Sequence, residues 1–219
     1  MKGTFITFEG IEGSGKSTQI VLLANYLKSH RIKIVLTREP GGTLIGDQIR
    51  KILLDPANKG LDPSAELLLY AASRAQHLSE VILPALAAGT IVLCDRFSDA
   101  TLAYQGYGRG LDKNMIRELD RIVTAGMQPD LTVLLDIDAA AGLARARRRN
   151  NNRGLEGESR FENEETAFHE RVRQGYLALA KKEPERIRVV DASPAQDRIE
   201  MEIRKIVVTV SGIAEPSLI

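Results

Sequence analysis

Eight residues from Gly10 to Ser17, GIEGSGKS, fit the spacing G-x-x-x-x-G-K-[ST]. The chemistry served by this spacing is the binding of a polyphosphate. Glycines at 10, 13 and 15 open backbone conformations that side chains close. Successive N–H groups of such a loop wrap phosphate oxygens, and the helix that follows adds positive potential at its N-terminus. In that arrangement Lys16 bridges the β- and γ-phosphates and the Ser17 hydroxyl ligates Mg²⁺. The expected nucleotide loop comprises Gly10, Ile11, Glu12, Gly13, Ser14, Gly15, Lys16, Ser17 and Thr18.

The loop needs a strand before it and a helix after it, and the flanking residues supply both. Thr4 to Phe8 reads as a buried strand, and Thr18 to Leu27 carries helical periodicity. The alternation then continues. Strands are expected at Lys33 to Thr37, Thr90 to Cys94, Leu131 to Leu135 and Ile187 to Val190. Helices are expected at Leu44 to Leu54, from Asp62-Pro63 through Ala72, and up to Gly89. Further helices are expected around Ala100 to Gln105, after Asp112, over Ala139 to Arg149, over Phe161 to Lys182, and over Pro194 to Val208. Five strands alternating with helices imply a five-stranded parallel sheet with helices on both faces, an α/β P-loop NTPase fold. Ligands gather beyond the carboxyl ends of such strands. The loop, Arg38 to Gly42, Asp95-Arg96 and the region after Asp136 all fall there.

The 219 residues fit one domain, over 1–211, with a tail at 212–219. Thirty basic against twenty-nine acidic residues argue against a broad nucleic-acid-binding surface. One cysteine, Cys94, in an apolar strand pattern, excludes an internal disulfide framework. With no secretory signature and no apolar run of membrane-spanning length, the expected compartment is the cytoplasm, with no membrane partner.

The loop alone says only that a nucleotide binds. A GTPase would read guanine with N-K-x-D after a strand, whereas Asn58 to Asp62 has one residue too many and lies between helices. No ABC-transporter signature is present, and a chain of this size lacks room for typical motor machinery. A kinase acting on a small phosphorylated acceptor needs fixed cations for the acceptor phosphate and a cover that keeps water out. Arg38, Arg50, Arg74 and Arg96 can supply the first. The stretch from Arg145 to Arg160, six arginines against Glu156 and Glu158, reads as a short lid over about 145–160 rather than a solvated helix face, with a mobile loop from Asn150 to Ser159.

Several strings together resemble the bacterial thymidylate kinases. They are Phe8 to Thr18, Thr37 to Gly42, Tyr70 to His77, Asp95 to Phe97, Ala103 to Gly106 and Ser159 to Glu162. The resemblance implies transfer of the ATP γ-phosphoryl group to dTMP, giving dTDP, with Mg²⁺. It implies that Glu12 reaches the acceptor 3′-hydroxyl, and that Arg38, Arg50 and Arg96 hold the acceptor phosphate beside Pro40. Tyr70 stacks on thymine, Arg74 binds its carbonyl edge, Thr101 and Gln105 contact the base, and Tyr104 crowds the sugar 2′ position. Ser17 and Asp95 serve the metal. One arrangement in this family carries an arginine directly after the loop acid, where this chain has Gly13. The catalytic charge is therefore expected from the lid: Arg149 and Arg153 are the candidates, with Arg147 and Arg148 as alternatives. Catalytic roles go to Lys16, Arg96, Glu12 and these lid arginines. Family members are generally homodimers. Preference for another monophosphate, such as dUMP or CMP, and a nucleotide-dependent switch without an acceptor remain the competing readings. His30, His77 and His169 read as structural or surface residues.

Overall fold

The structure, a computed structural model, describes residues 3–153 and 160–211, side chains at 150–153 and 211 excepted. Its centre is a parallel sheet of five strands: β1 (Phe5–Glu9), β2 (Ile34–Arg38), β3 (Ile91–Asp95), β4 (Leu131–Asp136) and β5 (Ile187–Asp191). The spatial order is β2-β3-β1-β4-β5. The chain leaves β1, passes over β3 to β2, and returns, so the order reverses beside β1. A crevice opens at such a switch point, and the loop after β1 lies in it.

Each strand ends on a charged residue: Glu9, Arg38, Asp95, Asp136 and Asp191. The strands expected from the apolar pattern all stop one residue earlier. Pairing continues through the charged ends, as Arg38 against Asp95 and Asp136 against Asp191 show. Backbone pairing does not require an apolar side chain; of these ends Arg38 and Asp95 line the crevice, and Glu9 is buried beneath it.

Helices cover both faces. Side chains alternate along β1. Ile6 and Phe8 pack in one cluster with Ile20, Leu23 and Leu27 of α1 (Lys16–Ser29), while Phe5 packs with Leu78, Ile82 and Leu86. The second group belongs to one rod formed by α3 (Pro63–His77), a π-helical turn at Leu78–Ile82, and α4 (Leu83–Ala87). The wide turn immediately precedes Pro84, whose missing N–H could not serve a regular ladder. Between β2 and the rod lies α2 (Leu44–Leu54), capped by Thr43, whose hydroxyl accepts from the Gly46 N–H at 2.9 Å.

Three expected boundaries change. The short α5 (Ser98–Thr101) continues as a π-helical segment at Leu102–Gly108, so the helix expected to reach Gln105 runs on to Gly108. A Cβ at Gly108 would lie 2.7 Å from the Phe168 ring, and one at Gly106 would press on Lys113 and Ile116 at 3.1 and 3.3 Å, so these glycines serve packing. After α6 (Lys113–Thr124), α7 spans Ala139–Arg153, so residues 150–153 are helical and not part of a mobile loop. The polar asparagines lengthen the helix by a turn. Residues 154–159, the rest of that expected loop, and the tail at 212–219 lie outside the described residues. Finally α8 begins at Thr166 and not at Phe161. The Phe161 ring packs against Tyr104, and the chain turns before the helix starts. The last helix, α9 (Gln196–Ser211), packs beside α1.

Candidate active site

The loop between β1 and α1 folds on positive φ at Gly10 (137°), Gly13 (73°) and Gly15 (96°). Gly13 is required for a further reason. A Cβ there would lie 1.9 Å from the Gly142 carbonyl oxygen of α7. The start of α7 therefore docks on the loop at Gly13. Lys16, the first residue of α1, turns back on its own loop and donates to the carbonyls of Gly10 (2.9 Å) and Ile11 (2.8 Å). Burial, and then the neighbouring charge of Arg96, push its pKa down to about 8. The Ser17 hydroxyl donates to Asp95 at 2.8 Å, so two hard oxygens sit side by side at the end of β3. Ser14 is buried within the loop, and Thr18 is exposed on the first turn of α1.

Beside the loop opens a cavity of about 250 Å³. Glu12, Arg38, Pro40, Arg50, Tyr70, Arg74, Arg96, Thr101, Tyr104 and Gln105 all line it, together with Lys16, Ser17, Asp95 and Arg149. Residues from five parts of the sequence are thus brought to one place. Arg153 carries no described side chain, and the sequence assignment to it lies outside the described residues.

The wall of the cavity opposite the loop is held by a chain of buried polar contacts. Arg74 donates to Glu39 (2.8 Å), Thr101 (2.9 Å) and Asp120 (3.3 Å), and its guanidinium lies 5.0 Å from the Phe97 ring centroid. Glu39 also meets His77 at 3.0 Å, and His77 meets Thr37 at 2.6 Å. Gln105 donates to Glu66 at 2.8 Å; Glu66 is fully buried and also takes Arg109 and Arg160. Arg160 donates to the Leu53 carbonyl at 2.8 Å as well. Tyr104 is fixed by edge-on packing with Phe161, Phe168 and Tyr176.

Arg96 and Glu12 meet at the centre. Arg96 has φ +73°, a left-handed conformation that costs a non-glycine residue and is seen at functional sites. It donates to Glu12 at 2.9 Å and lies 4.7 Å from the Tyr104 ring centroid. The Tyr104 hydroxyl lies 2.7 Å from both Glu12 oxygens. Burial raises the pKa of Glu12, but Arg96 and then His169 outweigh it and hold the carboxyl well below its usual range.

Among the outer arginines, Arg38 meets Asp47 at 3.3 Å and is more than half exposed, and Arg50 donates to the Pro40 carbonyl at 3.1 Å. Of the lid candidates, Arg149 lines the cavity and meets Glu162 at 3.1 Å. Arg147 donates to the Glu162 carbonyl. Arg145 turns away to the Ala192 carbonyl at 2.9 Å. Asp136 pairs with Arg173, and Asp138 caps α7 through the N–H groups of Ala140 and Ala141.

Four buried residues, Glu9, Glu66, His77 and His169, have no part in the site assigned from the sequence. Glu9 accepts from the Phe97 N–H and the Tyr176 hydroxyl, each at 2.7 Å. Burial, reinforced by Asp99, pushes its pKa up to about 8. Through Phe97 it secures the peptide that follows Arg96. Glu66 anchors Gln105 and Arg160. His169 and His77, read as structural or surface residues, are both fully buried; His169 lies against Glu12. A charged residue in an otherwise apolar run, as Glu9 and Glu66 are, was the available signal.

A family model for thymidylate kinase matches residues 8–203. A thymidylate kinase of Trichlorobacter lovleyi is 61% identical over 194 residues, covering 88% of this chain and 92% of that protein. One from Syntrophotalea carbinolica is 58% identical over 195 residues, covering 89% and 90%. Among solved structures, thymidylate kinase from Ehrlichia chaffeensis matches with a TM-score of 0.75 at 38% identity, covering 94% of this chain and 99% of that one.

Proposed function

The chain belongs to the thymidylate kinase family, and from that premise we propose how its own residues carry the reaction. The enzyme phosphorylates dTMP to dTDP with ATP as donor. The loop from Gly10 to Thr18 cradles the donor phosphates, and Lys16 exchanges the carbonyls of Gly10 and Ile11 for the β- and γ-phosphates. Arg38, Arg50 and Arg96 hold the acceptor phosphate through guanidinium forks. Tyr70 stacks on thymine, Arg74 binds its carbonyl edge, Thr101 and Gln105 complete the base site, and Pro40 borders it. Tyr104 closes the sugar 2′ side, and Glu12 takes the 3′-hydroxyl. Arg149, with Arg153, brings positive charge to the transferring group from the lid.

The attacking group is a phosphate oxygen of dTMP, already anionic at neutral pH, so no general base is needed. Catalysis is positioning plus charge neutralisation. The observation that carries this reading is the single cavity beside the loop, lined by every residue assigned to the acceptor. Ser17 and Asp95 fit Mg²⁺, because the ion takes one or two protein oxygens with phosphates and keeps several waters. When bound it neutralises charge on the phosphates.

No helix among the described residues is long and apolar enough to cross a membrane. We place the enzyme in the cytoplasm as one domain over residues 1–211, with a lid over about 145–160. We also assign it a homodimer without nucleic acid or membrane partners. Leu68 on α3 and Met115 and Ile122 on α6 are exposed apolar side chains on two helices packed together, which supports the dimer. Sedimentation at twice the 24.1 kDa chain mass, lowered by Ile122→Glu, checks it.

The test of the function is ADP formation from ATP and Mg²⁺ with dTMP, dUMP, UMP, CMP, AMP and GMP supplied separately. Activity greatest with dTMP, weaker with dUMP and negligible with the others is expected. Turnover centred on another monophosphate contradicts the base site, and ADP release independent of any acceptor contradicts the mechanism.

A further inference from the structure

Among the described cavity residues that carry a side chain, only Arg96 takes a positive φ, at 73°. The last two residues of β1 hold the backbone on either side of it. The Phe8 carbonyl accepts from the Arg96 N–H at 3.0 Å. The next N–H, that of Phe97, donates to Glu9 Oε1 at 2.7 Å. Glu9 and Phe97 are both fully buried, so this N–H has no water to turn to. The Arg96 carbonyl is held as well, by the Cys94 thiol at 3.0 Å.

The second oxygen of Glu9 reaches the other end of the same residue. Oε2 accepts from the Tyr176 hydroxyl at 2.7 Å, and that hydroxyl oxygen accepts from Arg96 Nη1 at 3.3 Å. One carboxyl therefore clasps both ends of Arg96, the backbone directly and the guanidinium through Tyr176. Oε1 accepts from an N–H, so a proton taken up by Glu9 goes to Oε2. The bond to Tyr176 then reverses, and the hydroxyl oxygen still accepts from Arg96. Glu9 and Tyr176 are buried and do not line the cavity, so neither touches a ligand there. Arg96 Nη2, by contrast, donates to Glu12 at 2.9 Å on the cavity side. The acceptor phosphate competes with Glu12 for the guanidinium when dTMP binds, whereas the contacts from Glu9 and Tyr176 have no such competitor.

We propose that Glu9 and Tyr176 are positioning residues of the transfer reaction, fixing the left-handed backbone and the guanidinium of Arg96 in the pose that meets the acceptor phosphate. The inference rests on the reading that Arg96 serves that phosphate. Tyr176→Phe keeps the ring and removes only the hydroxyl. It should lower kcat/KM for dTMP by about 10-fold, the scale of one lost hydrogen bond to a charged group. KM for ATP should stay within about 3-fold, because Lys16 and the donor loop keep their contacts. In an Arg96→Ala background the same substitution should cost less than about 2-fold, because its effect runs through Arg96. Glu9→Leu, which fills the space without an acceptor, should lower kcat/KM for dTMP by about 10²-fold, the scale of misplacing a group at the reacting centre. Glu9→Gln, whose side-chain carbonyl still accepts from the Phe97 N–H, should regain part of that loss. Tyr176→Phe decides the matter where Glu9→Leu does not fold.

Turnover unaffected by Arg96→Ala overturns the reading of Arg96 and this inference with it. Arg96→Ala that loses turnover, beside Tyr176→Phe that keeps it, costs the same in both backgrounds or weakens ATP as much as dTMP, overturns the inference alone. So does a folded Glu9→Gln protein no more active than a folded Glu9→Leu one.

Discussion

Arg74 and Lys16 line the same cavity and both are buried, yet they are held in different ways. Arg74 is bound to Glu39, Thr101 and Asp120, each from another element, and is backed by Phe97. Lys16 rests on the carbonyls of its own loop, and Ser17 beside it rests on Asp95. The acceptor wall is thus part of the fold: its charges are matched within the protein before any ligand arrives. The donor loop holds its charge on neutral carbonyls, which a phosphate can outcompete. Such a division suits a kinase, because the acceptor site must select by shape while the donor site must take up a highly charged group and release it.

The sharpest way to break the comparison is to remove each cation. Lys16→Ala should lower turnover by at least about 10²-fold, the scale for a lost transition-state contact. It should leave resistance to urea unchanged or higher, because the fold depresses the pKa of Lys16 and its ammonium is disfavoured by folding. Arg74→Ala should instead lower unfolding free energy by about 3–5 kcal/mol, since Glu39 would be left buried without its main partner. Urea titrations with steady-state rates for both variants check this. Equal stability losses would erase the distinction.

A smaller effect concerns pH. With its pKa at about 8 in the free enzyme, Lys16 loses its proton as pH rises through that value. Bound phosphates favour the ammonium and raise the pKa, so ATP binding takes up a proton in this range. Accordingly kcat/KM for ATP should fall above about pH 8, while kcat falls only at higher pH. A profile of kcat/KM that stays flat to pH 9.5 would show that the free loop does not hold Lys16 as described.

The same contrast explains what was legible in the sequence. The loop could be read because its glycine spacing is dictated by backbone conformation, a local matter. The five strands and the order of helices followed from apolar patterning, which burial on both faces of a parallel sheet enforces. What escaped depends on contacts between distant segments. Strand ends ran one residue further because Arg38, Asp95, Asp136 and Asp191 are paired in the sheet although their side chains are charged. The π-helical segment at Leu102–Gly108 is set by packing of α6 and α8 on its glycines, which periodicity does not report. Glu9 and Glu66 look like interruptions of apolar runs until Phe97, Tyr176, Arg109 and Arg160 are seen around them. His169 lies 157 positions from Glu12, and nothing in its neighbours along the chain points there.

The central claim is that the acceptor wall is complete before the donor binds. Calorimetric titration of the nucleotide-free protein with dTMP, and then with CMP, tests it most directly. The account predicts saturable dTMP binding without ATP, and much weaker binding of CMP. Absence of dTMP binding until an ATP analogue is added would contradict it, and would mean that the donor side, through the lid, builds the acceptor site.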